Sequence, residues 1–185
     1  MNDSLALLSS FIKNPKETGA VLPSSRFLTK GIISSIDFEA SKVIVELGPG
    51  MGTFTKAILK KAKPGAKLFC LEVNKKFCSH LSENMADERL VIINAGAEKL
   101  RSSLKKANAK EADCVVSGLP FLNFSDAKKR KILEEVKNSL SDEGKFILFQ
   151  YTNGLSRLLE EHFSKVSRKF VPLNVPPSFV YICRK

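Results

Sequence analysis

The run Glu46-Leu47-Gly48-Pro49-Gly50-Met51-Gly52 puts one carboxylate and three alternating glycines directly behind the aliphatic stretch Val43-Ile44-Val45. The aliphatic stretch reads as a strand and residues 54–61 read as a helix. Strand, glycine loop and helix open a doubly wound α/β domain, which binds a nucleotide-like ligand beyond the strand's carboxyl end. Glycine admits positive φ and lets the main chain approach a ligand closely, and the helix start offers unpaired N–H groups. The spacing excludes two phosphate loops. A dinucleotide fingerprint needs G-x-G-x-x-G, and a P-loop needs Gly-Lys-Ser/Thr where this chain has Gly52-Thr53-Phe54. A carboxylate at Glu46 would repel a pyrophosphate and suits a cationic ligand. A plain turn between strand and helix is the alternative that the loop alone leaves open.

A second acid narrows the choice. Residues 67–72, Lys67-Leu68-Phe69-Cys70-Leu71-Glu72, read as the next strand and end in a carboxylate 20 residues beyond Gly52. There an acid reaches the hydroxyls of a bound ribose, and no nearby Arg asks for a 2′-phosphate. The competing reading makes Glu72 a cap for the helix starting near Asn74. The E-x-G-x-G-x-G pattern resembles motif I of the class I S-adenosylmethionine methyltransferases, whose cofactor carries a sulfonium and an ammonium. That resemblance implies a Rossmann-like, seven-stranded α/β fold. It also implies cofactor contacts from Glu46, Gly48, Gly50, Gly52 and Glu72, and from Gly96, Ala97 and Ser117 at later strand ends.

Composition bounds the rest. The chain of 185 residues is one domain's worth, with residues 1–40 expected as an amino-terminal helical lid on a single catalytic domain. The formal net charge of +11 favours a polyanionic partner, either nucleic acid or an anionic lipid surface; general basicity or solubility is the bland account. No apolar run is long enough to span a bilayer, and no secretory signal opens the chain. Cys70, Cys78, Cys114 and Cys183 form no C-x-x-C pair, three of them fall in expected strands, and reduced cytoplasmic thiols are the simplest account. His80 and His162 lack ligand spacing, so no metal is expected.

In order, residues 4–13 give an amphipathic helix and residues 26–36 a second one capped by Ser24 or Ser25. Both are expected to fold over the cofactor end of the sheet. Helix 75–85 turns Phe77 and Leu81 inward; 90–93 is a short buried strand. A Lys-rich helix spans 98–107, a fourth strand 112–117, and an apolar loop Gly118-Leu119-Pro120-Phe121-Leu122-Asn123-Phe124 leads to a helix capped near Ser125. Apolar side chains exposed there would be hard to explain as packing. The fifth strand is 145–150 and the fifth crossover helix 155–163. Strands 166–173 and 178–183 close the domain as an antiparallel hairpin.

Four segments then resemble one family in the right order. These are Phe11-Ile12-Lys13-Asn14-Pro15-Lys16 with Gly19-Ala20-Val21-Leu22-Pro23-Ser24-Ser25, then Ser117-Gly118-Leu119-Pro120, Gln150-Tyr151-Thr152, and Asn174-Val175-Pro176-Pro177-Ser178-Phe179-Val180-Tyr181. They are similar to bacterial phospholipid N-methyltransferases of the PmtA type. The resemblance implies stepwise methylation of phosphatidylethanolamine or a similar headgroup amine by an enzyme peripheral to the inner face of the membrane. Ser24, Leu119, Pro120 and Phe121 would bind substrate. Tyr181, by the resemblance, and Tyr151 are the candidates to take the amine's proton, with aromatic packing in strands as the favoured account of either and Glu17 as a further candidate. Lys13, Lys16, Arg26 and Lys30 would meet anionic lipid.

The related ribosomal RNA adenine dimethyltransferases place Asn or Asp before a Leu/Ile-Pro-Tyr/Phe loop; here that position is Gly118, and no RNA-binding domain is expected after the catalytic one. RNA is the alternative partner, and a non-catalytic cofactor-binding module is a third reading. Where many relatives have Gly-Asp-Ala this chain reads Ala95-Gly96-Ala97, which leaves Glu98 or a backbone carbonyl to meet the adenine amine. Asn153 stands where relatives often have Tyr.

Overall fold

Period-two alternation along the strands sends side chains to opposite faces of one sheet, and each face is covered by helices. The computed structural model describes residues 25–185. The first units are helix α1 (Arg26–Ile33), strand β1 (Val43–Leu47), α2 (Thr53–Lys61), β2 (Lys67–Leu71), α3 (Lys75–Asn84) and β3 (Leu90–Ile93). They are followed by α4 (Leu100–Lys106), β4 (Ala112–Ser117), α5 (Asp126–Ser139), β5 (Leu140–Gln150), α6 (Ser156–His162), β6 (Lys165–Val171) and β7 (Ser178–Arg184). Single 3-10 turns occupy Ala97–Lys99 and Phe121–Asn123.

The seven strands run in the order β3-β2-β1-β4-β5-β7-β6. All are parallel except β7, which is antiparallel to both β5 and β6. The carboxyl ends of β1 to β6 therefore share one edge of the molecule, and the turn leaving β6 lies there too. Chain order reverses between β1 and β4, where a doubly wound sheet opens a ligand crevice. This is the Rossmann-like methyltransferase fold that the motifs imply.

On one face Val45, Leu47, Phe69, Val115 and Phe146 pack under α4, α5 and α6. On the other, Ile44, Leu68, Val116 and Ile147 pack under α1 and α2. The second face takes in the helix at the carboxyl-terminal end of the expected lid. Leu28 and Ile32, one helical turn apart, are fully buried in this layer, so α1 is a core helix on the face of the sheet. Ser25 is its cap, accepting from Leu28 N at 3.2 Å. The helix stops three residues short of Ile36 because Ser34 and Ser35 both donate to the Gly31 carbonyl. Ser35 N turns to Ile32 O instead. Residues 4–13 and their linker, with Lys13, Lys16, Glu17 and Ser24, lie outside the described residues.

Other differences are local. Strand β3 is only half-buried, being the sheet's edge, and Phe77 is half-buried while Leu81 is fully buried. Strand β5 starts at Leu140, and its register against β4 shifts between Ala112 and Cys114. Among the described residues no helix is long and apolar enough to cross a membrane.

Candidate active site

The glycine loop turns on positive φ: +70° at Gly48, +54° at Gly50 and +80° at Gly52. Space separates their jobs. A Cβ at Gly52 would overlap Met85 and Leu81, and one at Gly48 would lie 2.8 Å from Leu119. A Cβ at Gly50 would meet nothing within 4 Å. Gly48 and Gly52 thus let neighbouring segments close on the loop, while Gly50 presents bare backbone to open space, as a ligand requires.

Glu72 joins both sequence readings. Its Oε1 accepts from Asn74 N at 2.9 Å, capping the turn into α3, and its Oε2 accepts from Gly50 N at 3.2 Å. Burial, partly offset by these hydrogen bonds, raises its pKa. Asn94, not singled out from the sequence, donates to the main-chain carbonyls of Glu72 and Val73 at 2.8 and 3.0 Å, tying the end of β2 to that of β3. Its isolated position after a short strand carried no motif signal.

Glu46 lies on the α2 face of β1 and is fully buried. Thr55 Oγ1 donates to its Oε2 at 2.7 Å and Cys70 Sγ at 3.5 Å, while Oε1 has no partner. Desolvation pushes its pKa up from 4.5 to about 7, the Thr55 and Cys70 hydrogen bonds oppose this, and nearby Glu72 adds to it. The same burial, together with Glu46, drives the Cys70 thiol well above its ordinary value. No basic group is among the causes acting on Glu46. An acid held in the core at such a cost, with one oxygen orphaned and no counter-charge among the described residues, fits a cationic ligand seated on the loop above it. Thr55 and Cys70 were not read as site residues; both are ordinary core types until the fold brings them to Glu46.

At the end of β3, Gly96 and Ala97 are buried. A Cβ at Gly96 would overlap the Glu98 carboxylate, so Glu98 folds back over the position where relatives carry an acid. Ser117, directly across from Leu47, is buried, and its Oγ accepts from Leu119 N at 3.2 Å. It shapes the loop after β4. Leu119 and Pro120 are half-buried beside the glycine loop.

Two expected site residues lie in the core. Phe121 is fully buried, packed on Phe124 and Phe146 with ring centroids 6.0 and 6.4 Å away. It anchors the loop, and Leu122 is the large hydrophobic exposed there. Tyr181, central in β7, is also fully buried, and its hydroxyl pairs with Ser156 Oγ at 3.0 Å under α6. Tyr151 follows β5 at the shared carboxyl edge, 40% exposed, edge-on to Phe149 at 5.7 Å. Burial raises its pKa, so it stays a protonated phenol at neutral pH.

Known proteins bear on this geometry. Residues 15–166 match the profile of the family described as ribosomal RNA adenine dimethylase. The chain is 30% identical to an ornithine lipid N-methyltransferase of Singulisphaera acidiphila over 100% of its own length and 97% of that protein's. It is 27% identical to ribosomal RNA small subunit methyltransferase A of Thermotoga maritima, over 66% of this chain and 41% of that protein. Among solved structures, a Burkholderia thailandensis 1,6-didemethyltoxoflavin-N1-methyltransferase with bound S-adenosylhomocysteine superposes with a TM-score of 0.69 at 15% identity, over 98% of this chain and 88% of that one. Sheet order, the glycine cradle over a buried acid and these matches agree. The chain belongs to the ribosomal RNA adenine dimethylase family and is an S-adenosylmethionine-dependent methyltransferase.

Proposed function

We propose that this enzyme methylates the amine of a lipid headgroup at a membrane surface, phosphatidylethanolamine and ornithine lipid being the acceptors to try first. The observation that carries the reading is the 30% identity to a lipid N-methyltransferase from end to end of both proteins. The loop after β4 supports it. RNA adenine enzymes place Asn or Asp at the position of Gly118, and here a Cβ would already lie 3.0 Å from the Gly48 carbonyl. Such a side chain would require the glycine loop to move.

Bound S-adenosylmethionine supplies an electrophilic methyl group for in-line displacement. The chain's own residues hold and orient. Glu72, steadied by Gly50 N–H, and Glu98 would hold the nucleoside against the bare Gly50 backbone, and Glu46 would act on the cationic end through its charge beneath the loop. The acceptor brings a separate difficulty, because an alkylammonium has no lone pair. With a lysine-like pKa about three units above neutrality, freeing the amine costs about 4 kcal/mol. Tyr181 is sealed in the core, and Glu17 lies outside the described residues. The Tyr151 phenol accepts a hydrogen bond from the amine and positions it, and the proton leaves to solvent before transfer. On this account kcat/KM rises about tenfold per pH unit between pH 7 and 9; a plateau from pH 7 upward would show a dedicated base.

The family profile favours a second reading, an RNA adenine acceptor. Labelled S-adenosylmethionine offered in parallel with aminolipid vesicles, ribosomal RNA and small amines separates the two. Label in lipid is expected. Label in RNA alone overturns the lipid reading, and cofactor binding with no labelled product leaves only a binding module.

A further inference from the structure

Among the described residues the large hydrophobic side chains left exposed are Val73, Leu122, Tyr151, Phe170, Leu173 and Val175. Every one follows or ends a strand at the carboxyl edge of the sheet, the edge that carries the glycine loop. Three of them gather where β6 turns into β7. There solvation is inverted: Leu173 and Val175 are 63% and 84% exposed, whereas Asn174 between them is 3% exposed. The polar residue is drawn inward by specific bonds. Ser25 Oγ donates to Asn174 Oδ1 and Asn174 Nδ2 donates to the Pro176 carbonyl at 2.7 Å. The turn is thereby fastened to the cap of α1, and the two aliphatic side chains are held outward on either side of the fastening.

Behind the tip, Phe27, Gly31, Phe170 and Pro172 line an open cleft of about 220 Å³ with Lys30 at its rim. Exposed cations surround the feature: Arg26 and Lys30 on α1, Arg168 and Lys169 on β6. Among the described residues α1 contains no acid, and the chain has none from His162 to Lys185. At about 4.8 Å per strand, β6 stands roughly 19 Å from β1 and roughly 10 Å from β5. The tip thus lies at the side of the crevice, close enough to set how a surface-bound acceptor enters.

We propose that the β6–β7 turn, through Leu173 and Val175, enters the headgroup layer of an anionic bilayer while Arg26, Lys30, Arg168 and Lys169 contact its phosphates. The inference rests on the reading that the acceptor is a bilayer lipid. Polyanionic RNA would satisfy the cations and could stack on Phe170, but the two residues at the very tip offer bases neither stacking nor hydrogen bonds. Outward leucine and valine at the tip suit acyl chains instead.

The chain contains no Trp, so a single introduced indole reports its own surroundings. The full-length protein carrying Val175→Trp is titrated with vesicles of 7:3 phosphatidylcholine and phosphatidylglycerol, beside Glu111→Trp at the opposite edge as control. A blue shift for the first, quenched by brominated acyl chains, and none for the second are expected. Unchanged emission at 175, or equal shifts at both sites, overturns the proposal. In parallel, Leu173→Asp/Val175→Asp should lower vesicle partitioning at least about tenfold. Its S-adenosylhomocysteine affinity, unfolding midpoint and methylation of detergent-dispersed aminolipid should match the parent's. Unaltered partitioning overturns docking by the turn while leaving the lipid reading intact. Tip insertion by a protein that methylates no lipid supports docking and removes the lipid reading. Partitioning lost only because RNA carried through purification has been digested away overturns docking in favour of nucleic acid.

Discussion

The two halves of the carboxyl edge are built on opposite principles. Around β1, β2 and β3 the side chains that matter are buried acids, and most of their oxygens are matched to donors: Glu72 by Gly50 N and Asn74 N, Glu46 by Thr55 and Cys70. Of the large hydrophobics exposed among the described residues only Val73 lies in that half, whereas from β4 to β7 the same edge presents Leu122, Tyr151, Phe170, Leu173 and Val175 to solvent. The first half is finished before its ligand arrives, down to a single orphan oxygen on Glu46. The second half exposes apolar surface that water does not reward. A small, highly charged cofactor calls for preorganised dipoles, which cost nothing to reorient at the moment of reaction. An acceptor embedded in a larger surface instead calls for apolar contact that only the surface itself completes.

Variants break this contrast in order of size. Phe121→Ala, in the acceptor half but inside the core, should cost about 3–5 kcal/mol of stability. Denaturant unfolding would show it, with cofactor affinity of the remaining folded protein within about twofold of the parent. A specific loss of cofactor binding would instead place the phenyl ring in the site.

Glu46→Gln should do the reverse. The folded-state pKa of Glu46 lies above its ordinary 4.5, at about 7. Its burial is therefore free of an ionisation cost while folded and unfolded states are both protonated. The cost grows as pH rises from 4.5 and levels off above about 7 at roughly 3 kcal/mol, using 1.36 per pKa unit. The variant should be more stable than the parent at pH 8 by up to that amount, indistinguishable near pH 4, and at least tenfold weaker for S-adenosylhomocysteine by calorimetry. Equal stability across that range would show that the acid is not desolvated.

Cofactor binding should also expel a proton from Glu46 near neutrality, because a cation above the loop favours the charged form. Calorimetry in two buffers of different ionisation heat reads that release directly. The smallest effects separate the two tyrosines. Tyr181→Phe loses the Ser156 hydrogen bond, about 1 kcal/mol of stability, with kcat unchanged. Tyr151→Phe leaves stability within about 0.5 kcal/mol and lowers kcat/KM for lipid acceptors.

Legibility followed the same division. The cofactor half was readable because its information is local: a loop of three positive-φ residues needs glycine at fixed spacing, and each acid ends its own strand. The places of Glu46, Gly50 and Glu72 at strand ends and in the loop could be read from the chain alone, as could the strand pattern that yields the fold. The acceptor half was misread where neighbours distant in sequence decide the outcome. Phe121 looked like an exposed loop residue until Phe146 and α5 enclosed it, and Tyr181 looked reactive until α6 covered it.

The sequence by itself determined where the backbone must turn and which carboxylates stand at strand ends, because spacing and conformational preference act over a few residues. Only the tertiary structure decided which way the ambiguous side chains face. Burial depends on elements brought together across the chain, as when Ser25 draws Asn174 inward from 149 positions away and leaves Leu173 and Val175 outside.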